Sequence, residues 1–363
     1  MIKIINICGA RPNFMKIAPL MRAYQSFPGV KPLLVHTGQH YDQNMSDLFF
    51  RQLQIPEPDI NLEVGSGSHA TQTAEIMKRF EPVVLEHKPD WIVVVGDVNS
   101  TIACGLVGTK LGVKLAHVEA GLRSFDRTMP EEINRLLTDA ISDLLLVSEP
   151  SGVENLKREG VPDEKVQFVG NVMIDTLKHS LAIAEQSPIL EKLGLTKGQY
   201  NVVTLHRPSN VDDPVTLGRI ADAFDVIQRD LPIVFPMHPR TLSNLAKLGL
   251  KPRFDAMKNL RITEPLGYLD FTKLCGNAAV VLTDSGGIQE ESTILGVWCL
   301  TIRENTERPI TLTQGTNMLV GTDPDKILAA YRQRRATPVG NRPVPDKWDG
   351  RAAERIAALL AQR

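Results

Sequence analysis

Short β-branched runs alternate with longer amphipathic segments from one end of this 363-residue chain to the other. That alternation restricts the fold more than any other feature. Strands are expected at 3–8, 32–36, 91–96, 113–118, 144–148 and 166–169, and again at 201–205, 233–237, 260–263, 279–283 and 298–302. Helices fall between most of them, at 17–26, 70–87, 131–141, 215–229 and 287–295. This order predicts parallel sheets covered by helices on both faces. Single cores rarely grow past roughly 250–300 residues, so two series in one chain predict an α/β protein of two doubly wound, Rossmann-like domains. The first is expected over 1–170 and the second over 171–349, with the connection inside 170–198. The Pro-, Arg- and Gly-rich stretch 334–349 reads as a return linker. It leads to a last helix within 350–363 that packs back onto the first domain.

Composition narrows the class of partner. A net charge of −1 gives no global field for nucleic acid or an anionic membrane. No stretch approaches the roughly 20 apolar residues of a membrane span, and the opening segment 1–8 reads as a strand rather than a signal peptide. Cys8, Cys104, Cys275 and Cys299 are scattered without ligand spacing. They predict a reduced, cytoplasmic protein with no structural metal.

The polar motifs share one location. Gly9-Ala-Arg11, Gly38-Gln-His40, Gly96-Asp97, Glu119, His206-Arg207, His238, Asp284-Ser-Gly-Gly287 and Arg303 each follow the carboxyl end of an expected strand. Ligands of open parallel sheets bind at that edge, so the ligand is expected in a cleft between the domains. Between His117 and Arg135, carboxylates (Glu119, Asp126, Glu131, Glu132) are interleaved with Arg123, Arg127 and Arg135. Such a cluster suits proton transfer beside an anionic group, or else a solvated ion-pair loop. Arg11 and Lys16 lie near a positive helix end, which a buried or bound anion would offset. Ser285, Gly286 and Gly287 open a helix whose free N–H groups suit phosphate. Their spacing is neither a P-loop nor Gly-x-Gly-x-x-Gly. Glu290 or Glu291 either complements the helix dipole or accepts from ribose hydroxyls. His206 beside Arg207 is a phosphate ligand or proton donor. His40, His117 and His238 stand equally as structural histidines. Arg303, Glu307 and Arg308 form either a loop over the ligand or an exposed ion-pair network.

Taken together, GARPNFMK (9–16), GQHYD (38–42), GDVNST (96–101), HVEAGLR (117–123), MPEEINR (129–135), HRPSN (206–210), TDSGGIQEE (283–291) and TERP (306–309) resemble the non-hydrolysing UDP-N-acetylglucosamine 2-epimerases from residue 3 to about 330. The resemblance implies a glycosyltransferase-B type fold, a homodimer, and interconversion of UDP-N-acetylglucosamine and UDP-N-acetylmannosamine through an enzyme-held 2-acetamidoglucal. It implies acid/base roles for Asp97, Glu119 and Glu131, and catalytic or phosphate-side roles for Lys16 and His206. It assigns UDP to Arg11, Arg135, Ser285, Gly286, Gly287 and Glu291, with Glu291 on ribose and the Phe271 backbone at uracil. The first domain then handles the sugar and the second UDP. No metal or cofactor is expected, since Arg11, Lys16, His206 and the helix at Gly286 neutralise much of the diphosphate charge.

Three positions depart from the family. Ser209 stands where a Glu is usual, Ile310 follows Thr-Glu-Arg-Pro where Glu is usual, and Ala70-Thr71 replaces an Arg-Gln pair that helps hold an activating second UDP-N-acetylglucosamine. Gln39, His40 and His238 are the activator-site candidates that remain, so weak or altered activation is expected. MPEEINR and the segment 36–50 are also similar to the branch that epimerises UDP-2,3-diacetamido-2,3-dideoxyglucuronate. A hydrolysing epimerase and a glycosyltransferase of the same fold are also compatible with these motifs.

Overall fold

The computed structural model describes residues 1–38, 53, 55–340 and 342–363, with the side chains of Arg11 and Pro12 excepted. It divides into two compact units, one of residues 1–179 and 346–363, the other of residues 180–345. Each is built around a wholly parallel sheet.

The first sheet contains β1 (Ile2–Cys8), β2 (Val30–His36), β3 (Ile60–Asn61), β4 (Trp91–Val95), β5 (Lys114–Ala120), β6 (Leu144–Val147) and β7 (Val166–Phe168), in the order β3-β2-β1-β4-β5-β6-β7. The second contains β8 (Asn201–Thr204), β9 (Ile233–Pro236), β10 (Leu260–Thr263), β11 (Val280–Thr283), β12 (Trp298–Thr301) and β13 (Asn317–Leu319), in the order β10-β9-β8-β11-β12-β13. Both follow the doubly wound pattern in which strand order reverses beside the first strand of the unit, opening a crevice there. The crevice lies between β1 and β4 in one unit and between β8 and β11 in the other.

The central strands are apolar throughout because helices cover both their faces. All five residues of β4 are buried, as are all four of β6, β11 and β12. Helix Asn99–Lys110 is also buried along most of its length. It lies close on the sheet because Gly108 has no side chain; a Cβ there would meet Ile92 Cδ1 at 2.3 Å. Other helices carry amphipathic faces and side-chain caps. Ser68 accepts from Thr71 N and Asp213 from Thr216 N, satisfying first-turn donors.

The edge strand β3, of two residues, is too short to show a periodicity, and β13 is likewise not among the expected strands, although β7, of the same three-residue length, is. The expected linker also begins later than its composition suggests. Helix Pro324–Ala336 takes in Arg334 and Arg335. Trp348, fully buried, then donates to the Ser148 carbonyl at 3.0 Å. The Asp175 carboxylate accepts from Ala352 N and Ala353 N, capping the last helix, Ala352–Ala361. Among the described residues no helix is long and apolar enough to cross a membrane.

Candidate active site

In the first unit the chain leaves β1 through Gly9 and Ala10 into helix Arg11–Tyr24. Asn13 fixes this turn: its Oδ1 accepts from Gly9 N and Ala10 N, and its Nδ2 donates to the Val95 carbonyl of β4. One turn further on, buried Lys16 reaches across to Glu119, Nζ to Oε2 2.7 Å. Of the two anions that would offset this cation, buried or bound, the structure supplies a buried carboxylate. Space for the ammonium comes from Gly96, where a Cβ would stand 2.7 Å from Lys16 Nζ.

Glu119 occupies an irregularity in β5. Pairing with β6 shifts register between Val118 and Ala120, and Glu119 has φ +74°. A non-glycine residue held left-handed costs about 1–3 kcal/mol and persists only where its surroundings enforce it. The bulge turns a side chain out of the strand's alternation, here toward Lys16.

Asp97 follows β4 and Gly96. Its carboxylate accepts from Arg135 Nε at 3.0 Å and pairs with Nη2 at 2.9 Å, while Asn134 Nδ2 donates to its carbonyl at 2.9 Å. Asp97 keeps 23% of its side chain exposed, against 3% for Arg135. Arg135 also pairs with Glu132, whose carboxylate accepts from Ser124 N and Phe125 N. Glu132 thus does more than begin helix Pro130–Ile141: it ties the loop before the helix to the Arg135–Asp97 pair. Glu131 is exposed in the first turn. It precedes Asn134 and Arg135 by three and four residues, so it shares their helix face, one turn away from Asp97.

In the second unit the same crevice is organised by one carboxylate. Asp284, fully buried after β11, accepts from His206 N, Arg207 N and Asn210 Nδ2, and His206 Nδ1 lies 2.8 Å from its Oδ1. Burial alone would raise this carboxyl, but His206 and the backbone donors outweigh it and hold it below the usual value of 3.8. The His206 side chain remains 56% exposed. With Nδ1 donating to Asp284, Nε2 is the nitrogen left for a ligand.

Ser285 heads helix Gly286–Leu295 without capping it through its hydroxyl. The first-turn N–H groups there lack intrahelical acceptors. A Cβ on Gly286 would collide with Arg308 Nη1 at 2.5 Å, so glycine admits that guanidinium to the helix start. Arg308 is held by Glu290 and Glu307, and Glu307 by Arg303. All four are buried, so this segment is not an exposed ion-pair network.

Glu291, also buried, accepts from Tyr268 Oη at 2.9 Å. Burial raises its carboxyl to about 7; the Tyr268 hydrogen bond opposes this and Glu290 adds to it. A carboxyl raised on folding binds its proton more tightly in the native state. Its contribution favours folding below the ordinary value of 4.5 and is lost as pH rises through about 7. Denaturant titration of wild type and Glu291→Gln should show this: the wild type loses on the order of 3 kcal/mol more than the variant between pH 5 and 8. Parallel curves for the two proteins would contradict it.

Phe271 lies on helix Tyr268–Gly276, half-buried against the cluster around Tyr200, its N–H donating to the Gly267 carbonyl. His238 is exposed and caps helix Pro239–Lys247, its Nδ1 accepting from Arg240 N at 3.2 Å. The Arg11 side chain, Gln39 and His40 lie outside the described residues. The structure therefore groups Lys16, Glu119, Asp97 and Arg135 at one crevice, and His206, Ser285, Gly286 and Gly287 at the other. The sequence reading missed Asp284 as the organiser of the second crevice. The signal for it was a carboxylate placed directly after an apolar strand, separated by Ser285 from two glycines. Among the described residues no group of three or more His, Cys, Asp or Glu is arranged to hold a metal.

A sequence profile described as UDP-N-acetylglucosamine 2-epimerase matches residues 22–361. A protein of that name from Methanococcus maripaludis is 44% identical over 333 residues, covering 90% of each chain. A UDP-2,3-diacetamido-2,3-dideoxy-D-glucuronate 2-epimerase from Pseudomonas aeruginosa is 41% identical over 367 residues, covering 99% of each. The crystal structure of Methanocaldococcus jannaschii UDP-GlcNAc 2-epimerase in complex with UDP-GlcNAc and UDP is 41% identical, with a TM-score of 0.93 over 100% of both chains.

Proposed function

The chain belongs to the UDP-N-acetylglucosamine 2-epimerase family, and on that premise we propose that it interconverts UDP-N-acetylglucosamine and UDP-N-acetylmannosamine without net hydrolysis. The observation that carries this reading is the pair of carboxylates at the first unit's crevice, Glu119 and Asp97, each fixed by a buried cation.

A C2–H beside an acetamido group is too weak an acid to ionise alone. Its removal is coupled to departure of UDP. A carboxylate takes the C2 proton, the C–H electron pair becomes the C1=C2 bond, and the C1–O bond breaks with its electrons on UDP. In the reverse sense, a second carboxylate returns a proton to the other face of C2 as the UDP oxygen rebonds to C1. Glu119, Asp97 and Glu131 are the acid/base groups, with Lys16 beside Glu119. Arg135 fixes Asp97 and carries positive charge assigned to UDP, as does Arg11. In the second unit His206, Ser285, Gly286 and Gly287 take the diphosphate, Glu291 the ribose and the Phe271 backbone the uracil. The enzyme acts in the cytoplasm as a homodimer.

A second reading keeps the chemistry and changes the sugar. The Pseudomonas aeruginosa relative is as similar as the Methanocaldococcus jannaschii enzyme, at 41% identity each. Incubation with UDP-N-acetylglucosamine in heavy water separates these readings. UDP-N-acetylmannosamine with deuterium at C2 is the expected product. Free UDP and sugar would indicate hydrolysis. Turnover of the diacetamido uronate alone would establish the second reading. Acceptor-dependent transfer without C2 exchange would replace epimerisation altogether.

A further inference from the structure

His117 stands in the middle of β5, fully buried, and the proposed mechanism gives it no task. Its Nδ1 lies 2.6 Å from Asp139 Oδ1 and its Nε2 lies 2.8 Å from the Gly96 carbonyl oxygen. Both partners are acceptors, so the ring satisfies both contacts only with a proton on each nitrogen. Asp139 is suited to that state. Burial would raise its carboxyl, but His117 and Arg123 outweigh burial and hold it below the usual value.

The two ends of this relay reach backbone groups beside two of the three proposed proton-transfer carboxylates, Asp97 and Glu119. Gly96 has φ +67° and immediately precedes Asp97; its N–H donates to the Val118 carbonyl at 3.0 Å. The direction of the Gly96 carbonyl therefore fixes the peptide plane from which Asp97 departs. At the other end, Asp139 Oδ2 accepts from Gly121 N at 3.0 Å, two residues beyond Glu119. The same oxygen lies 2.7 Å from Arg123 Nη1, and Arg123 is anchored in turn to Glu159.

We propose that His117 is a positioning residue: by donating to the Gly96 carbonyl, it sets Asp97 at its working distance from Glu119. This rests on the reading of Asp97 and Glu119 as proton-transfer groups. Without the donor, the left-handed glycine lets its carbonyl swing, and a displacement of about 1 Å at a reacting group costs roughly 100-fold in rate.

Two substitutions divide the contacts of the ring. His117→Asn places an amide nitrogen near the position of Nδ1, keeping Asp139 and losing Gly96. His117→Gln places one near Nε2, keeping Gly96 and losing Asp139. The expected result is a kcat about 100-fold lower in His117→Asn, with KM and calorimetric UDP affinity unchanged, and a kcat within about tenfold of wild type in His117→Gln. A role confined to the hydrogen bond with Asp139 predicts the reverse order, with activity following Tm, and that order would overturn the proposal. If neither variant folds, nitrogen NMR of histidine-labelled wild type decides. A proton on Nε2 of the buried ring supports donation to the Gly96 carbonyl; an Nε2 without a proton overturns it. Asp97→Asn in the same assay tells the two readings apart. Full activity there removes the mechanism itself, whereas its inactivity beside an active His117→Asn removes only the role of His117.

Discussion

Glu119→Gln is expected to lower kcat by about 10³-fold while UDP affinity changes less than about twofold. The amide keeps the shape of the carboxylate on its bulge but cannot take a proton from C2. It also leaves Lys16, which now pairs at 2.7 Å, as a buried cation without its counter-charge. Breaking a buried pair from one side costs about 3–5 kcal/mol, whereas replacing both members with neutral groups is often nearly neutral. Thermal unfolding should therefore show Glu119→Gln clearly destabilised and Lys16→Met/Glu119→Gln close to wild type. Turnover should stay lost in both. Recovery of activity along with stability in the double variant would mean that Glu119 only balances Lys16, and that proton transfer lies elsewhere.

Asp284→Ala is expected to destabilise the second unit by about 3–5 kcal/mol and to abolish measurable epimerisation. Its carboxylate receives His206 N, Arg207 N and Asn210 Nδ2 together with the His206 ring. Removing it leaves buried donors unpaired and releases the turn that presents His206. Asp284→Asn is the more informative change, since an isostere keeps the volume. It should fold, yet lose about 100-fold or more in kcat, because a neutral amide no longer selects the Nδ1-protonated ring or stabilises imidazolium. The pH dependence has a definite sign. The carboxyl is depressed on folding, so its contribution is present above the unfolded value of 3.8 and is lost as pH falls below it. Acid unfolding in that range should be flatter in Asp284→Asn than in wild type. Wild-type turnover by Asp284→Asn would show that the orientation of His206 is immaterial.

The central strands and the clustering of polar motifs after their carboxyl ends were legible because both are local. Apolar runs such as Trp91–Val95 carry the strand signal themselves, and Gly96-Asp97 follows directly. The edge strand β3 was not legible, two residues being too short to show a period. Site partners separated by dozens of residues were legible only as types. An anion, buried or bound, would offset Lys16, but that it is the Glu119 carboxylate depends on a register shift in β5 against β6.

The sequence by itself determined the doubly wound α/β class, the sheet edge at which the polar motifs gather, and the supply of carboxylates, cations and a glycine-headed helix. Each follows from periodicity, residue type and position relative to the nearest strand. Only the tertiary structure decided which charges meet. Neighbours on one helix differ in burial: Glu131 is exposed, whereas Glu132 is buried against Arg135 and two loop N–H groups. Asp284 and His117 were visible in the sequence as a motif residue and a candidate histidine, but their roles appear only when the crossovers bring His206 to one and Asp139 and Gly96 to the other. The physical reason is that desolvation gives a charge its partner. Burial is set by how elements pack, which no local window of the chain contains.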